Sequence, residues 1–560
     1  MIIYSIIILL LSNSVNNRRD STILYSRTSL LILINVFLIF FFNTHIEYIK
    51  YNSITLYNGL LNLENYTLIF ILFIVLLTGI ILTITSSYSR KLLKLEETYN
   101  DLSTINKYIE TNILNKMAEQ YKIIEYPLII LFCLTGVIFL ISSSDIVSIF
   151  LSIELQSYGL YLISSIYRNS ESSVSAGLTY FLLGGLSSCI ILLGLSLLYI
   201  NSGNTSLDNI YIINNISNIF TIDQTNSIIN YVYTGYNAIH YSFTQYMYIQ
   251  ISLVIISIGL FFKISSAPFH NWSPDVYDAI PTIVTTFVAI IPKISILILL
   301  YGLVSNTNNT DMFTLSLSNI IIISSVLSLI IGSLLGLTQY RIKRLFAYST
   351  ISHLGFILLT LAINDLESTR AFFFYIIQYS ISNLNAFIIL ITIGYTLYSY
   401  VLKNNETNIK DSNYSPIQLI SQLRGYFYIN PFLSISLCMT LFSFVGVPPL
   451  IGFFGKQMVL MSALNKGFIF ITFIAIITSV ISAIYYLIII KIMFFEKKNY
   501  IFHEKSLSII NKLKIKKDIN ITNYITISSY LSFIISTLSL LIVLYMFFNK
   551  ELIRLIYLLI

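Results

Sequence analysis

Residues 259–277 read GLFFKISSAPFHNWSPDVY. The segment begins inside an apolar run, carries one lysine (Lys263), and then meets Pro268 and Pro274. Each proline removes a backbone donor and turns the residue before it away from helix. At membrane depth such irregular backbone is tolerated only where it is buried in protein or lines a watery cavity. A charge at the bilayer centre costs at least about 2.5–3.5 kcal/mol. A break and a charge side by side therefore mark a site, provided the segment crosses a membrane.

The composition says that it does. Of 560 residues, 56% are hydrophobic and 10% charged, and mean hydropathy is +0.80; a soluble domain is about 25% charged. The apolar runs are long enough for helices and lack the strict alternation of a membrane β-barrel, so an all-α polytopic membrane protein is expected. Cys133, Cys189 and Cys438 stand singly in apolar runs, without metal-ligand or disulfide spacing, and are read as core residues. The 42 Tyr and 38 Phe, with many Ile and Asn, have A/T-rich codons, which hints at an organellar genome. The N-terminus lacks a basic region and a small-residue cleavage pattern, so a retained first span is expected.

Apolar runs fall near 1–12, 29–43, 66–88, 126–143, 145–167, 173–200, 247–279, 281–304, 313–336, 346–363, 369–400, 430–464, 467–495 and 527–548, about fourteen spans. Loops after odd-numbered spans carry Arg18, Arg19 and Arg27, then Arg90, Lys91, Lys94, Lys107, Lys116 and Lys122, then Arg168. Further on they carry Arg341, Lys343 and Arg344, then Lys403, Lys410 and Arg424, and finally the basic block after Glu496. Loops after even spans are poor in cations, as the positive-inside rule requires. One loop departs from the pattern, the acidic segment after span seven with Asp275 and Asp278. The net charge of +7 thus reports topology and argues against nucleic-acid binding.

Span twelve repeats the device of span seven: LFSFVGVPPLIGFFGKQMVL, residues 441–460, with Pro448 and Pro449. Interrupted segments in corresponding places of two halves point to an ion pathway. The two lie five spans apart, an odd number, so spans four to eight and nine to thirteen are expected to be inverted repeats. The expected divisions are 1–125 (three helices and a basic loop), 126–304 and 305–495 (the repeats), and 496–560 (a basic loop and the last helix). Two Pro kinks serving packing alone are the plainer alternative.

Five spans of these repeats each supply an ionisable group at comparable depth. Glu154 lies about 13 Å along span five at 1.5 Å per residue. Lys263 precedes the first break, Lys293 sits halfway along span eight, Lys456 follows the second break, and His353 lies in span ten. Such groups normally face a bundle interior and mark proton relays. A static Glu154–Lys263 pair, snorkelling lysines and a hydrogen-bonded core histidine are the alternatives. Asp145 is read as an N-terminal helix residue, and His270 and Trp272 as packing or site residues at the break.

GLFFKISSAPFHNWSPDVYDAIPTIVTTFVAIIPK (259–293) resembles the hallmark segment of the subunit 2 family of NADH:ubiquinone oxidoreductase, respiratory complex I, and is similar to the wider antiporter-like, Mrp-related family. RIKRLFAYSTISHLGF (341–356), VGVPPLIGFFGKQMVLMSAL (445–464) and ITSVISAIYYL (477–487) resemble further family segments in order, so the resemblance covers roughly 126–495. The wording DVYDAIP, a lysine rather than a glutamate at Lys456, and a chain ending soon after span fourteen favour subunit 2 over its sisters. About fourteen spans match the fungal, plant or bacterial form, since the animal form lacks the first three.

The resemblance implies a proton-translocating membrane-arm subunit of the mitochondrial inner membrane, part of an enzyme that is H⁺-translocating NADH:ubiquinone reductase. It implies a relay of Glu154, Lys263, Lys293 and Lys456, with His353 as a further member. It implies no cofactor or metal in this chain, with flavin, iron–sulfur clusters and quinone in other subunits. The implied partners are the other membrane-arm subunits (4, 4L and the lateral helix of subunit 5), lipids and protons. A stand-alone cation/proton antiporter and a non-pumping scaffold share the same helix plan.

Overall fold

A computed structural model describes residues 1–15, 21–47, 53–86, 125–167, 170–213, 236–305, 316–397, 400–402, 417–497, 500–502 and 529–559. Arg18, Arg19, Arg90, Lys91, Lys94, Lys107, Lys116, Lys122, Arg168, Lys403, Lys410 and most of the basic block after Glu496 lie outside the described residues.

The described residues are helical almost throughout. In order come α1 (Ile2–Val15), α2 (Ser21–Glu47), α3 (Asn65–Ser86), α4 (Glu125–Ser142), α5 (Ile146–Ser164), α6 (Glu171–Ser202), α7 (Tyr236–Ile264) and α8 (Trp272–Ala279). Then follow α9 (Thr282–Ser305), α10 (Leu317–Leu337), α11 (Ile342–Ile363), α12 (Leu366–Leu397), α13 (Pro431–Val445), α14 (Ile451–Asn465), α15 (Ile469–Phe495) and α16 (Ser529–Leu559). Span seven is α7 plus α8, and span twelve is α13 plus α14. Among the described residues, eleven helices are long and apolar enough to cross a membrane; the shorter apolar stretches 2–14, 248–264 and 431–445 bring the crossings to the number expected. Helix α2 begins at Ser21 and so takes in Arg27, which hydropathy alone places in the loop before span two.

Contacts between loops support that count. Ser144 donates its hydroxyl to Gly59 O at 2.6 Å, and Ile146 N bonds Thr205 O at 3.0 Å; these loops follow spans two, four and six. On the other side, β1 (Tyr400–Leu402) pairs antiparallel with β2 (Tyr500–Phe502), and Arg424 pairs with Glu496, joining the loops after spans eleven and thirteen. Even loops meet even, and odd meet odd. Asp145 caps α5, its Oδ1 accepting from Val147 N at 2.9 Å.

The repeat is visible in packing. α4 packs on α5, α5 on α6, α4 on α9 and α7 on α9; α10 packs on α11, α11 on α12, α10 on α15 and α13 on α15 in the same way. Glycines keep the register. A Cβ on Gly136 would lie 2.6 Å from Gln156 N, and one on Gly332 would lie 2.6 Å from Ser352 N. Gly159 meets Cys133, and Gly355 meets Ser328 and Leu329, at matching places. Close backbone approach through small residues is how membrane helices pack where lipid is as apolar as leucine.

Burial locates the core. The apolar window of α9 is 100% buried, of α11 94% and of α12 89%, against 33% for α6 and 39% for α15. Of the cysteines read as core, Cys133 is buried, Cys438 half-buried and Cys189 exposed. Cys189 sits on α6, and an apolar setting in sequence does not separate a core face from a lipid face, because both are apolar.

Candidate proton-transfer site

Glu154, from the middle of α5, faces Lys263, from the last turn of α7. Oε1 and Nζ stand 3.6 Å apart, with side chains 17% and 8% exposed. Neither atom makes a hydrogen bond among the described residues, so the pair is held by charge and is looser than a hydrogen-bonded salt bridge. Ser157, one turn on, lies 3.5 Å from Glu154 Oε2. Gln156, Ser157, Tyr161, Lys263 and Trp272 line a cleft beside the pair.

The break follows at once. Ser265 has φ +67, a left-handed conformation that ends α7, and Ser266 N reaches back to Phe261 O at 3.1 Å. Trp272 fastens the far side: its Nε1 donates to Phe262 O at 3.0 Å, and its ring stacks on Tyr180 at 4.9 Å. His270 Nδ1 lies 3.2 Å from Pro268 O. Lys293 enters the same break from α9, donating to Ser265 Oγ at 3.2 Å and to Thr350 Oγ1 of α11 at 3.2 Å. The ring of Tyr277 lies 5.4 Å from its ammonium.

At the second break Gly446 takes the left-handed position with φ +90. Val447 N bonds Phe442 O and Leu450 N bonds Val447 O, as Ser266 N bonds Phe261 O and Phe269 N bonds Ser266 O at the first. Each break contains one cis X-Pro bond, Ala267–Pro268 and Pro448–Pro449. Lys456 donates to Val445 O at 2.9 Å, placing its charge on the carbonyl end of α13, where helix dipole and orphan carbonyls favour a cation. Among the described residues, neither Lys293 nor Lys456 has a carboxylate within salt-bridge distance.

His353 stands between two phenols. Nδ1 is 2.8 Å from Tyr375 OH and Nε2 is 3.4 Å from Tyr486 OH. Its ring is 5.3 Å from that of Phe444. In a neutral imidazole one nitrogen donates and the other accepts, so the ring joins two phenols whichever tautomer is present.

The structure thus brings Glu154 to Lys263, sets Lys293 into the same break, and gives Lys456 and His353 separate partners. Sequence reasoning missed Ser265, Thr350, Tyr375 and Tyr486. The repeated glycine spacing would have pointed to Thr350: once Gly136 and Gly159 are matched with Gly332 and Gly355, Thr350 falls on Glu154 and His353 on Ser157. A separate register at the breaks, which sets Ser265 on Gly446, places Phe444 on Lys263.

The family profile of the NADH:quinone oxidoreductase/Mrp antiporter transmembrane region matches residues 143–482. NADH-ubiquinone oxidoreductase chain 2 of Rhizopus oryzae is 42% identical over 522 residues, 93% of this chain and 90% of that one. Among solved structures, a chain of respiratory complex I from Thermus thermophilus aligns with TM-score 0.67 at 20% identity, covering 99% of this chain and 97% of that one. A chain of the Mrp complex from Dietzia aligns with TM-score 0.68 at 16% identity, covering 99% and 95%. At those identities the two structures speak to fold alone.

Proposed function

The chain belongs to the NADH:quinone oxidoreductase/Mrp antiporter transmembrane family and, within it, to the NADH-ubiquinone oxidoreductase chain 2 family; from that membership we infer that it is a proton-translocating membrane-arm subunit of NADH:ubiquinone oxidoreductase. On this reading it is a multi-pass protein of the mitochondrial inner membrane. Its partners are the neighbouring membrane-arm subunits, including 4, 4L and the lateral helix of 5. Flavin, iron–sulfur clusters and quinone belong to other subunits, and this chain contributes no redox site.

The observation that carries the reading is the Glu154–Lys263 pair standing directly before a break into which Lys293 is hydrogen-bonded. Two unit charges about 4 Å apart attract by about 4 kcal/mol at an effective dielectric near 20. Burial opposes the ammonium and the carboxylate supports it, so moving Glu154 away leaves the charge of Lys263 without its partner. The proton leaves Lys263 as a neutral amine and reaches Lys293 once that lysine has passed its own proton on. From there the hydroxyl of Thr350 and the His353 phenol pair lead towards Lys456. Moving one proton against about 180 mV takes roughly 4 kcal/mol at 2.3 kcal/mol per 100 mV, which the pair's attraction matches.

The test is Glu154→Gln in inner membranes, read by native gels and by NADH-driven proton pumping. Intact complex with depressed pumping supports the switch. Pumping at the wild-type ratio would remove the carboxylate as control point, and loss of assembly would reduce the pair to a packing role.

A further inference from the structure

The acidic loop after span seven meets a basic end of the second repeat. Arg341 Nη1 lies 2.6 Å from Asp278 Oδ2, and Arg344 reaches Asp275 at 2.7 Å and Asp278 at 3.4 Å. Between them Lys343, 2% exposed, donates to Ile280 O at 2.6 Å and to Asp278 O at 3.3 Å. These carbonyls lie at the C-terminal end of α8 and in the turn that leads into α9. The three cations offset the two carboxylates that departed from the positive-inside pattern, and both loops follow odd-numbered spans.

We propose that Lys343, with Arg341 and Asp278, is a clamp through which α11 of the second repeat positions α8 of the first. Helix α8 has eight residues, too few to hold itself. A break precedes it, so its position rests on its packing against α6 and α11 and on what grips its ends. Trp272 grips the start. Lys343 grips the end, where unpaired carbonyls and the negative pole of the helix favour a cation. Seven residues further along the same face of α11, Thr350 accepts from Lys293, so one helix touches both α8 and the lysine beside the break. A displacement of α8 must stretch the Lys343 bonds or carry α11, and with it Thr350 and His353, along. Arg341, Arg344 and Asp275 have side chains 51%, 40% and 72% exposed, and exposed ion pairs contribute little; the grip resides in Lys343 and the buried side of Asp278.

The coupling rests on the proton-transfer reading above; the positioning does not, and two readouts separate them. Ala279→Cys is introduced into the full chain in its assembled complex, in a background without the three native cysteines, and its reaction with a water-soluble maleimide is timed. Lys343→Met should speed labelling by at least about threefold, and Lys343→Arg should restore the slow rate. In the same membranes the protons moved per electron pair should fall with Lys343→Met. Should Lys343→Met fail to assemble, Asp278→Arg is compared with the swap Asp278→Arg/Arg341→Asp. The swap should label as slowly as the parent and the single variant faster. Unchanged labelling in Lys343→Met, or a swap that labels like the single variant, overturns the clamp. Fast labelling with an unchanged proton ratio overturns the coupling and keeps the positioning. Glu154→Gln in the same assay reports on the relay independently.

Discussion

Around the first break a carboxylate faces a lysine; in the second repeat a threonine and a phenylalanine hold the same two places. Glu154 and Thr350 share one register position and Lys263 and Phe444 share another, while glycines, left-handed residues and break hydrogen bonds are retained. Geometry was kept where backbone meets backbone. Chemistry diverged where side chains face the interior. The first repeat holds a charge pair that can be made and broken; the second holds Lys456 on a helix end and His353 between phenols. The repeats are alike as frames and unlike as sites.

The sharpest way to break this comparison is to treat the two positions alike. Glu154→Gln leaves Lys263 buried without its counter-charge, and losing one partner of a buried pair costs about 3–5 kcal/mol. Thr350→Val, which keeps volume and removes one acceptor from Lys293, should cost about 1.5–3 kcal/mol. Thermal inactivation midpoints of the assembled complex compare the two. Equal losses would mean that the positions are equivalent after all.

Packing should give the opposite result. Gly136→Ala and Gly332→Ala each drive a Cβ onto neighbouring helix backbone at 2.6 Å, for about 1–3 kcal/mol apiece. The two should lower complex yield on native gels to a similar degree. Gly159→Ala meets Cys133 Sγ instead, so adding Cys133→Ala should recover much of its loss, and a double variant no better than the single would count against the contact. The smallest effect is expected from Tyr375→Phe, which removes one hydroxyl from His353 at about 0.5–1.5 kcal/mol. If His353 passes protons, that variant should lower the pumping ratio more than its stability loss suggests; an unaltered ratio would leave the histidine a core residue.

Legibility in the sequence followed the strength of each local signal. Pro268 and Pro448–Pro449 are read without a structure because proline acts on the backbone wherever it stands. Glu154, Lys263, Lys293 and Lys456 are equally legible, since charge within an apolar run is rare and costly. Ser265, Thr350, Tyr375 and Tyr486 were not, in a chain crowded with Ser, Thr and Tyr that mostly bond their own helices. Cys189 misled for a related reason: hydropathy separates membrane from water and says nothing about core against lipid.

The sequence by itself determined that this chain crosses a membrane many times, where two helices break, and which charges lie within apolar spans. These follow from terms local to each residue: transfer of apolar groups, backbone donors lost to proline, and the cost of charge. Only the tertiary structure decided that Glu154 meets Lys263 rather than another lysine, that Thr350 receives Lys293, and that Asp278 is answered by Arg341 and Lys343. Those pairings join residues far apart in the chain. They depend on which helix faces which, and that is set by close packing at glycines and buried faces, where no single residue carries the signal.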